Sequence, residues 1–104
     1  MFKSVKRPCV YILASRKYGA LYIGVTGDLP SRLHDHQMGS GSEHTKKYKN
    51  HRLVWFEDYG NFDSAIQREK SLKRYPRQWK INLIEELNPK WLPLHPETGE
   101  FQTI

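Results

Sequence analysis

The sequence contains little cysteine, no long hydrophobic run and a minority of acidic residues, and each shortage excludes a class of protein. One cysteine, Cys9, excludes an internal disulfide framework and a metal site made only of cysteines. No apolar run approaches the length of a membrane-spanning helix, and the N-terminal stretch lacks the apolar segment of a leader peptide. We therefore expect a cytoplasmic protein that does not associate with membranes.

The charge balance favours a polyanionic partner. Seventeen Lys and Arg residues face eleven Asp and Glu residues, which gives a net charge of +6 with neutral histidines. In a small domain such a surplus is typical of nucleic-acid binding, although basic character for solubility alone is an equal alternative. Hydrophobic residues at 38% and aromatic residues at 12% argue against disorder, and 104 residues suffice for one domain with one modest core.

Residue patterning predicts three strands and three helices. Alternation with a period of two predicts a hairpin of strands over residues 10–15 and 21–26, and aromatic and β-branched content predicts a third strand over 51–59. Capping and proline signals predict three helices, which run from Asp28 to near Gly39, over 61–75 up to Pro76, and over 77–87 up to Asn88.

The resulting order, β-β-α-β-α-α, predicts an α+β (mixed α/β) sandwich whose helices cover one or both faces of the sheet. Residues 1–94 form the predicted single domain. Residues 95–104 show no periodicity, so we expect a tail that is extended or disordered.

Polar residues interrupt apolar patterns at two places in the first half of the chain. Tyr11 and Tyr22 occupy strand positions where valine or isoleucine would be cheaper to bury, and core aromatics with hydroxyls at the surface are the simple explanation. Arg32 and His36 are four residues apart and share one face of the first helix. For an isolated pair, a solvated flank is again the simple explanation.

Glu69 is the sharpest exception. It falls inside the apolar arc of its helix, where an unpaired carboxylate costs several kcal/mol. Lys73 follows at the i+4 position and offers a salt bridge that reaches solvent. The alternative is a divalent cation, because Mg²⁺ takes only one or two protein carboxylates and fills its other positions with water and phosphate.

Together these side chains fit phosphodiester hydrolysis. That reaction needs a group that aligns or deprotonates water, a cation that stabilises the pentacoordinate phosphate and a metal ion that stabilises the leaving oxygen. A guanidinium such as that of Arg32 suits phosphate because its fork binds two oxygens at once.

The order and spacing of these residues resemble the GIY-YIG nuclease superfamily. The resemblance rests on Tyr11, on the triplet Tyr22-Ile23-Gly24 eleven residues later, on Arg32 and His36 in the next helix, and on Glu69 in "REK". The loop "SEHTKKY" and the ending "LIEELNPKW" are similar to the small stand-alone, single-domain subgroup. The first triplet departs from the pattern, since it reads Cys-Val-Tyr, but catalysis is little threatened.

The resemblance implies a three-stranded antiparallel or mixed sheet flanked by about three helices, and DNA cleavage with one Mg²⁺ or Mn²⁺ ion. It implies that Tyr11 deprotonates or holds the attacking water with Tyr22 beside it, and that Arg32 stabilises the phosphate. His36 would assist proton transfer or bind phosphate, and Glu69 would bind the metal. Asn82 is an additional candidate, for the asparagine that members often carry in the helix after the glutamate.

A basic run with one aromatic residue suits a nucleic-acid backbone and a stacked base. It consists of Lys46, Lys47, Tyr48, Lys49 and Arg52, and a solvated loop is an equal alternative.

The hypothesis is a metal-dependent endonuclease that hydrolyses DNA phosphodiester bonds, with DNA favoured over RNA. The superfamily's excision-repair members connect it with DNA repair. Because the chain has no room for a recognition domain, we expect low intrinsic sequence specificity, with a DNA structure or a protein partner selecting the site. The alternative is a non-catalytic module that binds nucleic acid or recruits a partner.

Overall fold

A computed structural model of the protein describes residues 7–38, 52–96 and 98–100. These ranges contain three strands, β1 (Cys9–Ala14), β2 (Leu21–Thr26) and β3 (Arg52–Asp58). They also contain three helices, α1 (Leu29–Met38), α2 (Phe62–Arg74) and α3 (Arg77–Leu87). The predicted α+β class and the β-β-α-β-α-α order are thereby confirmed.

The strands form one antiparallel sheet in the order β2-β1-β3. Tyr11 in the central strand lies opposite Gly24 of β2 and Phe56 of β3, and the register with β3 shifts between Ile12 and Leu13. Since β1 has a neighbour on each side, β2 and β3 are the outer strands of this sheet.

The central strand is buried on both of its faces, which divides the interior into two cores. Cys9, Tyr11 and Leu13 point to one face, here called the tyrosine face, because side chains alternate along a strand. Val10, Ile12 and Ala14 point to the other, here called the aliphatic face. The apolar alternation in this strand therefore supplies two cores rather than one core and one wet surface.

Helix α1 covers the tyrosine face. Its residues Leu29 and Leu33 pack on the core of that face. The helix begins where the sequence predicts, since the Asp28 carboxylate accepts a hydrogen bond from the Ser31 amide at 3.4 Å. Pro30 occupies the first turn, where its missing amide hydrogen costs nothing.

Helices α2 and α3 cover the aliphatic face. Ala65 and Leu72 of α2 and Ile81 and Ile84 of α3 belong to its core, together with Trp91 from the chain that follows. The Asn61 side chain caps α2 by accepting from the Ser64 amide at 2.8 Å. Residues before proline avoid helical geometry, so α2 ends before Pro76.

After α3 the chain folds back along β3. Asn88 is fully buried, and its amide nitrogen donates to the carbonyls of Val54 at 3.1 Å and Leu92 at 2.8 Å. Its side-chain oxygen accepts from the Leu92 amide at 3.0 Å, and the Leu94 amide donates to the Leu53 carbonyl at 2.9 Å. This segment closes the edge of the sheet next to β3.

The hairpin loop is attached to α3 through Arg77. The Arg77 guanidinium donates to the carbonyls of Tyr18 at 2.8 Å and Gly19 at 2.7 Å. These two hydrogen bonds therefore hold the hairpin loop against the first turn of α3. Within the described ranges, no helix combines the length and apolarity needed to cross a bilayer.

Candidate active site

Tyr11 and Tyr22 lie on the same face of the hairpin. Tyr22 pairs with Leu13, and Tyr11 pairs with Gly24, which puts both phenols on the tyrosine face. Their ring centroids are 6.1 Å apart with the ring planes tilted by 39°. The two aromatic residues of the motif thus form one unit across neighbouring strands.

Gly24 makes room for the Tyr11 ring. A β-carbon at this position would lie 2.5 Å from the Tyr11 hydroxyl oxygen and 2.6 Å from its Cζ atom. Real β-carbons essentially never approach other atoms so closely, so any larger residue would have to move the ring. The glycine of the Tyr-Ile-Gly triplet is explained by this close approach.

Tyr11 is a buried neutral phenol. Its side chain is 1% exposed, and burial is the main cause of a pKa raised above the ordinary value for tyrosine. A hydrogen bond and the negative charge that Tyr22 would carry raise this pKa further, while the positive charge of Arg32 opposes the shift. Tyr22 is only half-buried, so the pair runs from the core to the surface.

Arg32 approaches the tyrosines from α1. Its side chain is exposed, one turn beyond Leu29, and its charge acts on the Tyr11 hydroxyl. His36 follows one turn later in the same helix, and its side chain lies outside the described part of the structure. The geometry therefore brings a guanidinium and two phenols together on the tyrosine face.

Glu69 belongs to α2, which packs on the aliphatic face. Its neighbours one turn away on either side, Ala65 and Leu72, are buried, and the Glu69 side chain is 17% exposed. Its Oε2 atom lies 3.5 Å from Lys73 Nζ. Of the two alternatives that the sequence left open for this carboxylate, the ion pair with Lys73 is present, and binding of a divalent cation stays a prediction.

The two faces meet at the outer edge of β2, where none of the described strands pairs with it. A groove of about 440 Å³ runs along this edge and is lined by Leu21, Tyr22, Ile23, Lys73 and Lys80. Tyr22 reaches it from the sheet, Lys73 from α2 and Lys80 from α3. Tyr22 is thus in contact with Tyr11 on one side. On the other side it lines the same groove as Lys73, the ion-pair partner of Glu69.

Sequence reasoning missed the role of Lys73 and Lys80 as lining residues of this groove. The sequence pointed to Lys73 as a salt-bridge partner for Glu69, but the distance between two helices is not encoded in a local pattern. The available signal was the seven-residue spacing of the two lysines around Pro76, which is compatible with both facing the same strand edge.

Other predicted site residues are engaged elsewhere. Asn82 is exposed on α3, and its oxygen accepts from Gln78 at 3.0 Å. Arg52 lies in β3 and donates to the Trp91 carbonyl at 3.4 Å. The other members of the basic run, Lys46, Lys47, Tyr48 and Lys49, lie outside the described residues.

Glu69 is the candidate ligand for a hard divalent cation, because such an ion needs few protein ligands. Across residues 7–38, 52–96 and 98–100, no three His, Cys, Asp or Glu side chains cluster closely enough to hold a metal ion. A zinc site with four protein ligands is therefore not formed by these residues. A single carboxylate whose ion-pair partner Lys73 lines an open groove is compatible with Mg²⁺ or Mn²⁺, which take one or two protein carboxylates and fill their other positions with water or phosphate.

Two further side chains, Cys9 and Tyr59, have raised pKa values but take no part in the candidate site. Cys9 is buried, and burial, reinforced by Asp58, raises the pKa of its thiol to about 12, so it is protonated and unreactive at neutral pH. Glu57 accepts hydrogen bonds from the Tyr59 hydroxyl and from Arg68 at 3.3 Å. Burial and this hydrogen bond raise the pKa of Tyr59 to about 12.

Comparison with known proteins gives a consistent set of relatives. Residues 7–82 match the model of the GIY-YIG catalytic domain. UPF0213 proteins from Staphylococcus aureus strains Mu50 and N315 are 38% identical over 68 residues, which span 65% of this chain and 83% of each relative.

A solved structure is similar as well. The solution NMR structure of UPF0213 protein BH0048 from Bacillus halodurans superposes with a TM-score of 0.50 at 30% identity. The superposition covers 77% of this chain and 84% of the other.

Proposed function

This chain belongs to the GIY-YIG catalytic-domain family, a family of nucleases, and we propose that it is a divalent-metal-dependent endonuclease that hydrolyses DNA phosphodiester bonds. One observation carries the proposal. Tyr22 contacts the buried Tyr11, on which the charge of Arg32 acts, and it also lines the groove that contains Lys73, the ion-pair partner of Glu69. A phosphate at the edge of β2 would meet an aligning phenol, a cation and a carboxylate at one place.

The burial of the two phenols favours different roles for them. A group that touches the attacking water must reach solvent, and Tyr22 does so while Tyr11 is 1% exposed. We therefore assign Tyr22 to the water, as the residue whose hydroxyl oxygen accepts a hydrogen bond from the water and holds it, while the proton released on attack passes to solvent. Tyr11 is a positioning residue, because its raised pKa keeps its proton on the oxygen and lets it act as the hydrogen-bond partner of Tyr22.

Arg32 and His36 act on the phosphate in this scheme. As water attacks phosphorus, negative charge accumulates on the non-bridging oxygens, and the exposed Arg32 guanidinium can bind two of them. The bond between phosphorus and the 3′ oxygen breaks, and this oxygen takes up a proton. His36, one helical turn beyond Arg32, is the proposed proton donor or phosphate ligand.

Glu69 is the residue that would hold Mg²⁺ or Mn²⁺. The ion supplies charge neutralisation for the leaving oxygen when it is bound. For Glu69 to hold the ion, its ion pair with Lys73 would have to open, and Lys73, which is 54% exposed, could then turn toward solvent. Without the ion, Lys73 neutralises the carboxylate.

The proposed substrate is DNA, with structure rather than sequence as the selected feature. Backbone contacts from lysine and arginine carry no sequence information, which favours structure over sequence as the selected feature. The basic run at Lys46, Lys47, Tyr48 and Lys49 is the proposed additional backbone contact. A protein partner that delivers the nuclease to its site is compatible with this arrangement.

The test is cleavage of supercoiled plasmid and of nicked, flapped, single-stranded and RNA substrates, with Mg²⁺, Mn²⁺ or EDTA. We expect metal-dependent nicking whose products DNA ligase reseals, because ligase requires 5′-phosphate and 3′-hydroxyl ends. Arg32→Ala should reduce the rate by roughly 10²-fold or more, the usual effect of removing a transition-state cation or donor. Glu69→Gln should abolish the metal dependence together with the activity.

Matched controls are available on the same helices. Arg74→Ala removes an exposed arginine at the end of α2, and Glu86→Gln neutralises an exposed carboxylate on α3. Both variants should cleave like the wild type. If the wild-type protein binds these substrates but cuts none of them with either metal, the endonuclease proposal is wrong and the chain is a nucleic-acid-binding module.

The assignment of the two tyrosines has its own readout. Tyr22→Phe should lower kcat strongly, and it should also lower stability because it removes the hydrogen-bond partner of the buried Tyr11 hydroxyl. Tyr11→Phe should lower kcat less, because it removes the hydrogen bond that positions Tyr22 but keeps the Tyr22 hydroxyl that holds the water. A larger loss of kcat in Tyr11→Phe than in Tyr22→Phe would reverse the assignment.

A further inference from the structure

The groove along the edge of β2 is lined by two lysines to which the proposed mechanism assigns no contact with the DNA. Two of its five lining residues are lysines, and they come from different helices, so their convergence on one strand edge is a property of the tertiary fold. Neighbouring ammonium groups repel each other unless an anion lies between them. The third polar member of the lining is Tyr22, which the proposed mechanism puts beside the scissile phosphate.

We infer that this groove, here called the lysine groove, binds a phosphate of the DNA backbone adjacent to the one that is cleaved. The inference rests on the proposed function and adds a subsite to it. A volume of about 440 Å³ is large compared with a single phosphate group, so a backbone segment with its sugar can lie along the strand edge. Lysines suit this task because phosphate contact is mainly electrostatic and independent of sequence.

The two lysines differ in availability. Lys80 is half-buried at the groove, and none of the ion pairs within the described ranges involves it. Lys73 lines the same groove while its ammonium group lies 3.5 Å from Glu69. Lys80 is therefore available to contact phosphate at all times. Lys73 becomes a second phosphate contact only when its ion pair with the Glu69 carboxylate is broken.

The salt dependence of DNA binding measures how many lysine–phosphate contacts the protein makes. Each lysine that neutralises a phosphate contributes about 0.9 to the slope of log K against log salt concentration on duplex DNA. The probe is a fluorescein-labelled DNA duplex with a single-stranded flap, and binding is measured by anisotropy in EDTA, where a metal-dependent enzyme does not cut. The measurement is thus separate from the nicking assay.

For Lys80 the expected result is simple. Lys80→Met keeps the length of the side chain and should reduce the slope by about 0.9. Lys70→Met removes an exposed lysine of α2 that does not line the groove, and it should leave the slope unchanged. Thermal unfolding of each variant establishes that the fold is kept.

For Lys73 the expected result depends on Glu69. Lys73→Met alone should leave the slope unchanged, since in the absence of metal the ammonium group is paired with the carboxylate. Glu69→Gln should steepen the slope by about 0.9 because it releases Lys73 for the phosphate. Adding Lys73→Met to Glu69→Gln should return the slope to the wild-type value.

The Lys80 and Lys73 measurements each test one part of the proposal. A Lys80→Met slope equal to that of Lys70→Met overturns the lysine groove as a phosphate site. A Glu69→Gln slope that does not change, or a steeper one that persists in the double variant, overturns the release of Lys73. Neither result touches the proposed endonuclease activity, whose failure would appear as absence of metal-dependent nicking in the wild type.

Discussion

Replacing Gly24 by alanine should destabilise the protein through one specific contact, the approach of the new methyl group to the Tyr11 ring. The β-carbon would lie 2.5 Å from the hydroxyl oxygen and 2.6 Å from Cζ of Tyr11, and the ring itself is buried in the core of the tyrosine face. An ordinary contact requires a separation of about 3.5–4 Å, so the ring has to move by about 1 Å. Overpacking a close-packed core in this way typically costs about 1–3 kcal/mol.

Two other glycines make a graded control series. A methyl group at Gly27 would meet the Phe62 ring at 2.8 Å, but Phe62 is 49% exposed and can turn aside at small cost. A methyl group at Gly60 would meet no atom within 4 Å. Gly60→Ala should therefore be neutral or stabilise by about 0.4–1 kcal/mol through the unfolded chain. The expected order of destabilisation is Gly24→Ala, then Gly27→Ala, then Gly60→Ala.

Urea denaturation and thermal unfolding measure this series. For a domain of about this size, each kcal/mol at the midpoint lowers Tm by about 4–8 °C, so the Gly24→Ala effect is well resolved. The cause is tested by a second substitution. Tyr11→Leu removes both clashing atoms, so Gly24→Ala should cost little in that background, whereas Tyr11→Phe keeps Cζ and should not rescue. Equal stability of Gly24→Ala and Gly60→Ala would refute the reasoning.

Three more predictions concern the supports of the site. Asn88→Ala should cost about 2–4 kcal/mol in urea denaturation, because it leaves the buried Val54 carbonyl and the Leu92 amide without their partner, while Asn82→Ala on the surface should stay within about 0.5 kcal/mol of wild type. For Cys9 the folded thiol pKa is raised from 9.0 to about 12, so its contribution is present below pH 9.0 and is lost as the pH rises to about 12. The stability difference between wild type and Cys9→Ala, followed by urea midpoints, should shrink across that window, and a constant difference would count against a buried protonated thiol. Arg77→Ala should speed hydrogen exchange at the Ala20 amide, which donates to the Ser15 side chain in the hairpin loop that Arg77 holds, and Arg74→Ala should not.

Local sequence signals were sufficient for the elements and their order. Asp28 and Asn61 cap helices that begin at Leu29 and Phe62, and Pro76 separates α2 from α3. These signals act within a few residues of chain, so a single sequence contains them. The predicted family, which is now shown, depends on motif spacing and is likewise readable along the chain.

Long-range packing was not readable in the same way. The pattern of β1 was compatible with one buried face, but β1 is the central strand, paired with β3 as well as with β2, and helices cover both of its faces. Asn88 looked like a helix end, and it is also the residue that attaches the returning chain to β3. In each case the partner lies more than thirty residues away, and no periodicity reports on such a partner.

The same difference between local signals and long-range packing applies to the candidate site. Tyr11, Tyr22 and Arg32 could be grouped from spacing because they lie on adjacent elements joined by short loops. Glu69 could be recognised as misplaced in its helix, but its position relative to the tyrosines depends on which face α2 covers. The predicted sites Tyr22, Arg32, His36, Glu69 and Asn82 remain predictions about chemistry that the proposed assays decide.

The edge position of β2 explains why this small fold can assemble a site from both faces of its sheet. A central strand has both edges hydrogen-bonded to neighbours, whereas among the described strands β2 pairs with β1 alone, and its other side borders the lysine groove. Side chains from α1 on the tyrosine face and from α2 and α3 on the aliphatic face converge only at such an edge. Tyr22 stands there with Gly24 two residues further along, and the glycine lets Tyr11 lie flat against the strand. The arrangement therefore needs a tyrosine and a glycine at this spacing on an outer strand, and the hairpin supplies both.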